Sequence, residues 1–188
     1  INIGERFDDR ITGKIDEFSP KSKKVHIDID PSSINKNVKV DLAIVGDVKT
    51  VLSSTLKSLK QKKSKFLKSN KQKTSKWWEK IQKWRSVRSL DYIGSEETIK
   101  PQYAIERLYE LTKDKDSYIT TEVGQHQMWA AQHYKFNKPN RWMTSGGLGT
   151  MGYGLPAAVG VQVAHPKKLV IDIAGEASVL MTIQEMST

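Results

Sequence analysis

The chain has 188 residues, no cysteine, and 31 Lys+Arg against 21 Asp+Glu, giving a formal net charge of +10. Without cysteine, a disulfide framework, thiolate metal sites and a cysteine nucleophile are excluded, and no apolar run approaches the roughly 18 residues of a membrane span. The basicity is local: residues 57–88 hold 13 of the 31 cations and a single acid, so that segment carries +12 and the remainder −2, and an anionic partner would meet that segment alone.

In chain order, Ile1-Asn2-Ile3 reads as the tail of a strand, and Gly4 to Gly13 as a charged loop leaving it. Lys24 to Asp30 alternates, with Val25, Ile27 and Ile29 on one side and His26, Asp28 and Asp30 on the other, until Pro31 ends the run. Acids at such an exit either bond a ribose hydroxyl in a nucleotide-binding sheet or mark a half-exposed strand edge. Val40 to Asp47 is a second short strand ending in an acid, followed by a helix on which Val48, Val51, Leu52, Leu56 and Leu59 share a face. Residues 57–76 shift to Lys, Ser and Gln, a solvated helix extension or a flexible linker. Trp77, Ile81 and Trp84 then form an aromatic helical face, for packing on a neighbouring domain or for stacking on single-stranded nucleic acid.

A helix from Pro101 ends in Lys113 to Asp116, Ser117 to Thr121 is a strand with its exit turn at Glu122-Val123-Gly124, and Gln125 to Tyr134 a helix. Trp142-Met143 is a short strand before a loop with five glycines in residues 145–154, which leads into a helix over Met151 to Ala164. Residues 169–174 make a last strand, and Ser178 opens a helix from Val179 to Met186 that Thr188 cuts short, as expected of an internal piece of a longer polypeptide. The alternation predicts an α/β fold of parallel sheets flanked by helices, with right-handed crossovers. The organisation expected is residues 1–56, a Lys-rich linker with the Trp helix over 57–99, and a second domain over 100–188.

Three exits from the second sheet carry polar groups: Gly124-Gln125-His126, Gly149-Thr150-Met151 and Gly175-Glu176-Ala177-Ser178. Singly, His126 reads as a packed histidine, Met151 as core and Glu176 as an acid at a helix start. Together they form a crevice for a phosphorylated cofactor, with Ser178 and the N–H groups after it toward phosphate and Glu176 toward a divalent cation.

Gly4 to Gly13, His26 to Pro31, Gly46 to Lys49, Pro101 to Ile105, Val123 to Gln132 and Ser145 to Ala158 resemble the catalytic large subunits of the acetolactate (acetohydroxyacid) synthases, thiamine diphosphate enzymes. The resemblance spans nearly everything outside 57–90 and is carried most specifically by Gln125-His126-Gln127-Met128-Trp129. It implies that residues 1–56 are the second half of a central FAD-binding domain and 100–188 the first half of a thiamine diphosphate-binding domain. Gly4, Glu5, Arg6, Phe7, Asp8, Asp28, Ile29, Asp47 and Val48 would surround FAD, structural in this family, and Asp9 and Arg10 would stand near the substrate channel. Gln125, His126, Gly149, Thr150 and Met151 would line thiamine diphosphate, and Glu176, Ala177 and Ser178 would meet its diphosphate and Mg²⁺, with Glu176 the metal ligand.

The implied activity is decarboxylation of pyruvate and transfer of its two-carbon unit to a second 2-oxo acid, pyruvate or 2-oxobutyrate, in branched-chain amino acid biosynthesis. None of the residues present would be a catalytic acid or base, and this portion alone is expected to be inactive. A homodimer or tetramer of the full-length chain with a regulatory small subunit is implied, cytoplasmic or organellar, with neither membrane nor nucleic acid as partner. The family's Gly-Asp-Gly-Ser metal motif stands here as Gly175-Glu176-Ala177-Ser178, and the acid that usually precedes it is Ala174. The longer glutamate moves the carboxylate by roughly 1.5 Å in a site that wants octahedral geometry, which predicts weaker cofactor binding. Two other readings stay open: another thiamine diphosphate-dependent decarboxylase or oxidase, and a non-catalytic remnant whose Lys57 to Arg88 segment binds nucleic acid.

Overall fold

A computed structural model of the chain describes residues 1–61, 65–88 and 90–188, with the main chain alone for 65–73. The chain divides into two compact units, Ile1–Trp84 and Arg85–Thr188.

The first unit is a parallel sheet of three short strands, β1 (Asn2–Ile3), β2 (Val25–Asp28) and β3 (Leu42–Val45), in that spatial order. Registers of Ile3 with Ile27 and of Asp28 with Val45 align the three exits, and Gly4 N–H to Ile27 and Gly46 N–H to Asp28 carry the ladder one residue further. The segment read as a loop contains a helical turn, α1 (Asp9–Thr12), because the Asp8 carboxylate accepts the Arg10 and Ile11 N–H groups at 3.1 and 3.3 Å. After β3, Asp47 caps α2 (Val48–Gln61) by accepting the Thr50 N–H at 2.9 Å. Helix α3 (Lys65–Ser86) follows. The lysine-rich stretch is therefore helical where described, and the part of it at 62–64 lies outside the described residues. Trp77 and Trp84 meet edge to face at 5.5 Å with the Lys80 ammonium beside both rings, and both remain about half exposed in the chain.

In the second unit, α4 (Pro101–Thr112) precedes β4 (Tyr118–Thr121), α5 (Gln125–His133), β5 (Trp142–Thr144), α6 (Gly154–Ala164), β6 (Val170–Ile173) and α7 (Glu176–Met181). All three strands are parallel in the order β5-β4-β6. The chain steps from β4 to one side and then crosses over it to the other, so β4 is central and its exit lies at a topological switch point, where α/β sheets leave a crevice. Ile119 on β4 is fully buried and packs with Ile105 and Tyr134, against which Leu108, Trp129, Trp142 and Ile171 close. Burying one such side chain is worth roughly 1.5–3 kcal/mol. A strand covered on both faces must satisfy its polar groups internally. Accordingly, the Tyr134 hydroxyl meets Thr112 at 2.8 Å and Ser117 at 3.1 Å, and Thr121 bonds Thr144 at 2.8 Å. Helix α6 begins at Gly154 rather than at Met151, because the glycine loop has positive φ at Gly149 and Gly152 and a helical turn cannot pass through them. Among the described residues, no helix is long and apolar enough to cross a membrane.

Candidate functional site

The crevice stands at the carboxyl ends of β4 and β6. A cavity of about 470 Å³ is lined by Val123, Gly124, Gln125, His126, Trp129, Met151, Ala174, Gly175, Glu176, Ala177 and Ser178. That volume lies within the range of small-molecule and cofactor sites. The three exits read from the sequence thus meet, with two exceptions: Gly149 and Thr150 do not line the cavity. They serve the loop that delivers Met151, with the Thr150 N–H donating to Ser145 Oγ at 3.0 Å.

His126 is seated by two glycines. A Cβ at Gly124 would stand 2.9 Å from His126 Cε1, and one at Gly175 3.1 Å from the same atom; Gly124 also has φ of +153°, which side chains avoid. The ring therefore rests against both strand exits at once. Its Nε2 is buried without a hydrogen-bond partner among the described residues. Burial lowers its pKa below the ordinary value, against the nearby charges of Glu122 and Glu176, so the imidazole is neutral at pH 7. Just behind, Gln127 Nε2 donates to Thr144 Oγ1 at 2.7 Å, Thr121 donates to the same oxygen, and Trp142 Nε1 donates to Thr121 Oγ1 at 3.1 Å. One polar knot thereby fastens the start of α5 to β5 and β4. The Glu106 carboxylate accepts from Tyr92 at 2.8 Å and meets His133 Nδ1 at 3.1 Å, which fixes α5 against α4.

Helix α7 starts at Glu176, not after Ser178, because Gly175 takes the extended cap conformation and the Val179 N–H already bonds the Gly175 carbonyl. Ser178 is consequently a first-turn residue with its side chain 2% exposed, whereas Glu176 and Ala177 are exposed at the cavity. The residue expected to open the helix thus sits inside its first turn. A short 3-10 segment, Ile183–Ser187, follows α7 where a continuous helix to Met186 was expected.

Among the described residues, no group of three or more His, Cys, Asp or Glu could hold a metal ion. Among the described residues, Glu176 is the one carboxylate lining the cavity. A Mg²⁺ ion bound through one carboxylate and completed by ligand phosphates and water fits that donor set; an all-protein metal cage does not.

Sequence reasoning missed Glu122 and Asp172. Glu122 is fully buried: Oε1 accepts the Leu155 N–H at 3.1 Å, and Oε2 has no partner among the described residues. Asp172 Oδ1 accepts from Thr120 Oγ1 at 2.9 Å. Its carboxyl is pushed up from the ordinary range by burial and by the charge of Glu122. The available signal was an acid inside the apolar run Val170-Ile171-Asp172-Ile173 and another directly after Thr120-Thr121.

In the first unit, Gly4, Asp28, Ile29, Asp47 and Val48 gather at the carboxyl edge of the sheet. Phe7 instead turns inward, edge to face with Phe18 at 5.8 Å and His26 at 5.2 Å. Glu5, Arg6, Asp9 and Arg10 are exposed. Asp28 is buried and accepts the Asp30 N–H at 2.9 Å, and Asp8 and Asp47 are both occupied as helix caps. The Thr50 N–H and hydroxyl hold the Asp47 carboxyl below the usual range. The edge fits a polar ligand at Gly4, Asp28 and Ile29, and one oxygen of each of Asp8 and Asp47, Oδ1, is engaged by the main chain as a helix cap.

Two family models match the chain: the central domain of thiamine pyrophosphate enzymes over residues 1–55, and the C-terminal TPP-binding domain of the same enzymes over 122–188. The acetolactate synthase large subunit of Buchnera aphidicola subsp. Schizaphis graminum is 50% identical over 186 residues, covering 99% of this chain and 31% of the relative. The acetolactate synthase isozyme 3 large subunit of Escherichia coli is 48% identical over 186 residues, 99% of this chain and 32% of the relative. The acetolactate synthase large subunit of Haemophilus influenzae is 46% identical over 188 residues, all of this chain and 32% of the relative. The chain spans about a third of the length of these relatives.

Proposed function

We propose, from the premise that the chain belongs to the thiamine pyrophosphate enzymes, that it is the portion of an acetolactate synthase large subunit joining its central domain to its cofactor-binding domain. The observation that carries this reading is the crevice at the switch point of the second sheet, where His126, Met151 and Glu176, one from each exit, face one cavity of cofactor size. When bound there, thiamine diphosphate supplies the chemistry that decarboxylates pyruvate and passes a two-carbon unit to a second pyruvate or to 2-oxobutyrate.

The chain's own residues hold and orient. Glu176 offers oxygen to Mg²⁺, and the N–H groups of Glu176, Ala177 and Ser178, which have no carbonyl within α7, point out of its first turn for diphosphate oxygens. Met151 supports the cofactor body. Neutral His126, immobilised between Gly124 and Gly175, offers a ring nitrogen without adding charge. The carboxyl edge of the first sheet, with Gly4, Asp28 and Ile29, takes FAD, and Asp8 and Asp47 beside it also shape the main chain there as helix caps. The full-length chain assembles as a homo-oligomer with a regulatory small subunit.

The test is acetolactate formation from pyruvate by the full-length polypeptide with Mg²⁺ and thiamine diphosphate. Activity that needs both additions supports the reading; release of CO₂ with free acetaldehyde as the sole product would replace it with a simple decarboxylase. The Glu176→Asp, Ala177→Gly double variant is expected to bind cofactor more tightly than the native chain, because the shorter acid and the missing methyl restore room beside the diphosphate.

A further inference from the structure

Glu122 and Asp172 are the polar groups at the carboxyl end of the second sheet that the crevice leaves unexplained. Both flank Gly154, the first residue of α6: a Cβ there would overlap Asp172 Oδ1 and come within 3.0 Å of Glu122 N and Oε1. Three segments therefore converge on one point. Glu122 immediately follows β4 and shares its turn with Gly124 and His126; Gly154 follows the loop carrying Met151; Asp172 lies in β6, ahead of Gly175 and Glu176.

We propose that Glu122 is a positioning residue of the cofactor crevice: packed with the Asp172 carboxyl against Gly154, it holds the segments that leave β4, β5 and β6 in the register that thiamine diphosphate needs. The inference rests on the cofactor reading above. Its carboxyl fastens α6 through the Leu155 N–H at 3.1 Å, just behind the Met151 loop. No Lys or Arg pairs with either acid among the described residues. The other ionisable side chain that the charge of Glu122 reaches is His126 from α5, and α6 supplies none. Two ionised carboxylates cannot share such a point without a cation, so one proton accompanies the pair. Asp172 takes it, helped by burial and by the charge of its neighbour. The sign follows: a carboxyl whose folded pKa is raised contributes stability that is complete below the ordinary carboxylate range and is lost as pH rises through the raised value. Above that value the two carboxylates repel across Gly154 and loosen the three exits.

The experiment titrates thiamine diphosphate with Mg²⁺ into the full-length chain between about pH 5 and 9, comparing wild type, Glu122→Gln and Glu122→Ala by tryptophan fluorescence, with thermal melts of each in the absence of cofactor. Glu122→Gln keeps an acceptor for Leu155 and removes the charge. It is expected to match the wild-type affinity at low pH and to lose the wild type's decline at high pH. Glu122→Ala is expected to bind roughly 10- to 100-fold more weakly at every pH, the range seen when a residue that orients ligating groups is removed. A Glu122→Gln profile that follows the wild type throughout, or a Glu122→Ala affinity equal to wild type, overturns the proposal. If the wild type binds no thiamine diphosphate, the cofactor reading falls, and the melts still decide the positioning role. A pH slope of Tm flattened by Glu122→Gln supports it, and an unchanged slope overturns it.

Discussion

The two ends of the second sheet treat charge in opposite ways. At the amino end, Asp116 receives Arg141 at 2.9 Å, Lys138 at 3.1 Å and Lys168 at 2.8 Å. Asp116, Arg141 and Lys168 stand just before β4, β5 and β6, so one carboxylate gathers the entries of all three strands. The Arg141 guanidinium also lies 4.3 Å over the Tyr118 ring, which stacks on His165 at 4.7 Å. At the carboxyl end, Glu122 and Asp172 are packed without a cation among the described residues, His126 Nε2 has no partner among them, and Glu176 faces a cavity. The first arrangement is self-contained; the second faces open space. One end of the sheet spends its charges on each other, and the other keeps a neutral imidazole and a carboxylate at the wall of a cavity.

The largest effect should come from breaking the close approach at the carboxyl end. Gly154→Ala places a methyl group against Asp172 and Glu122, and overpacking of this kind costs about 1–3 kcal/mol. Denaturant unfolding of the full-length chain reads it. A change indistinguishable from zero would mean that the three segments do not converge there. Next, Gly175→Ala brings a Cβ to 3.1 Å from His126 and should lower thiamine diphosphate affinity by roughly tenfold or more with little loss of stability, measured by equilibrium titration beside a melt. Equal affinity would release His126 from its role.

A smaller effect is expected at the knot behind the crevice. Thr144→Val removes the acceptor of both Gln127 and Thr121, and an internal hydrogen bond is worth about 1 kcal/mol net. The unfolding midpoint should fall accordingly; no fall would mean that α5 is fastened elsewhere. The gentlest test addresses the amino end. Arg141, then Lys168 and Lys138, hold the Asp116 carboxyl far below the usual carboxylate range. Its stabilisation is present above the ordinary carboxylate pKa and is lost as pH falls through the depressed value. Asp116→Asn should therefore flatten the acid limb of Tm against pH and reduce its salt dependence, leaving cofactor affinity unchanged. An acid limb identical to wild type would break the contrast between the two ends.

What was legible in the sequence was whatever local pattern decides. Val25-His26-Ile27-Asp28 and Val170-Ile171-Asp172-Ile173 are too β-branched to be anything but strands, and glycine at 124, 149 and 175 announced where each chain segment turns out of the sheet. The crevice followed, because parallel strands must all exit on one side. Partnership was not legible. Nothing local says that Gly175 is small to seat His126, that Ser178 packs inward from the first turn of α7, or that Gly154 lies against two acids contributed by different strands. Those facts belong to tertiary packing, and they corrected the start of α7 and exposed Glu122. Asp8 and Asp47 carry a role that the sequence reading did not assign: each caps a helix through Oδ1, which the residues following them could have indicated.

The most direct test of the crevice itself is equilibrium binding of thiamine diphosphate, with and without Mg²⁺, to the full-length chain and to its Glu176→Gln variant. Saturable binding that Mg²⁺ strengthens is expected in the native chain, with the Mg²⁺ enhancement lost when the carboxylate becomes an amide. Binding that ignores Mg²⁺, or a Glu176→Gln variant that keeps the full enhancement, would contradict the assignment of the β6 exit as the place where metal and diphosphate meet.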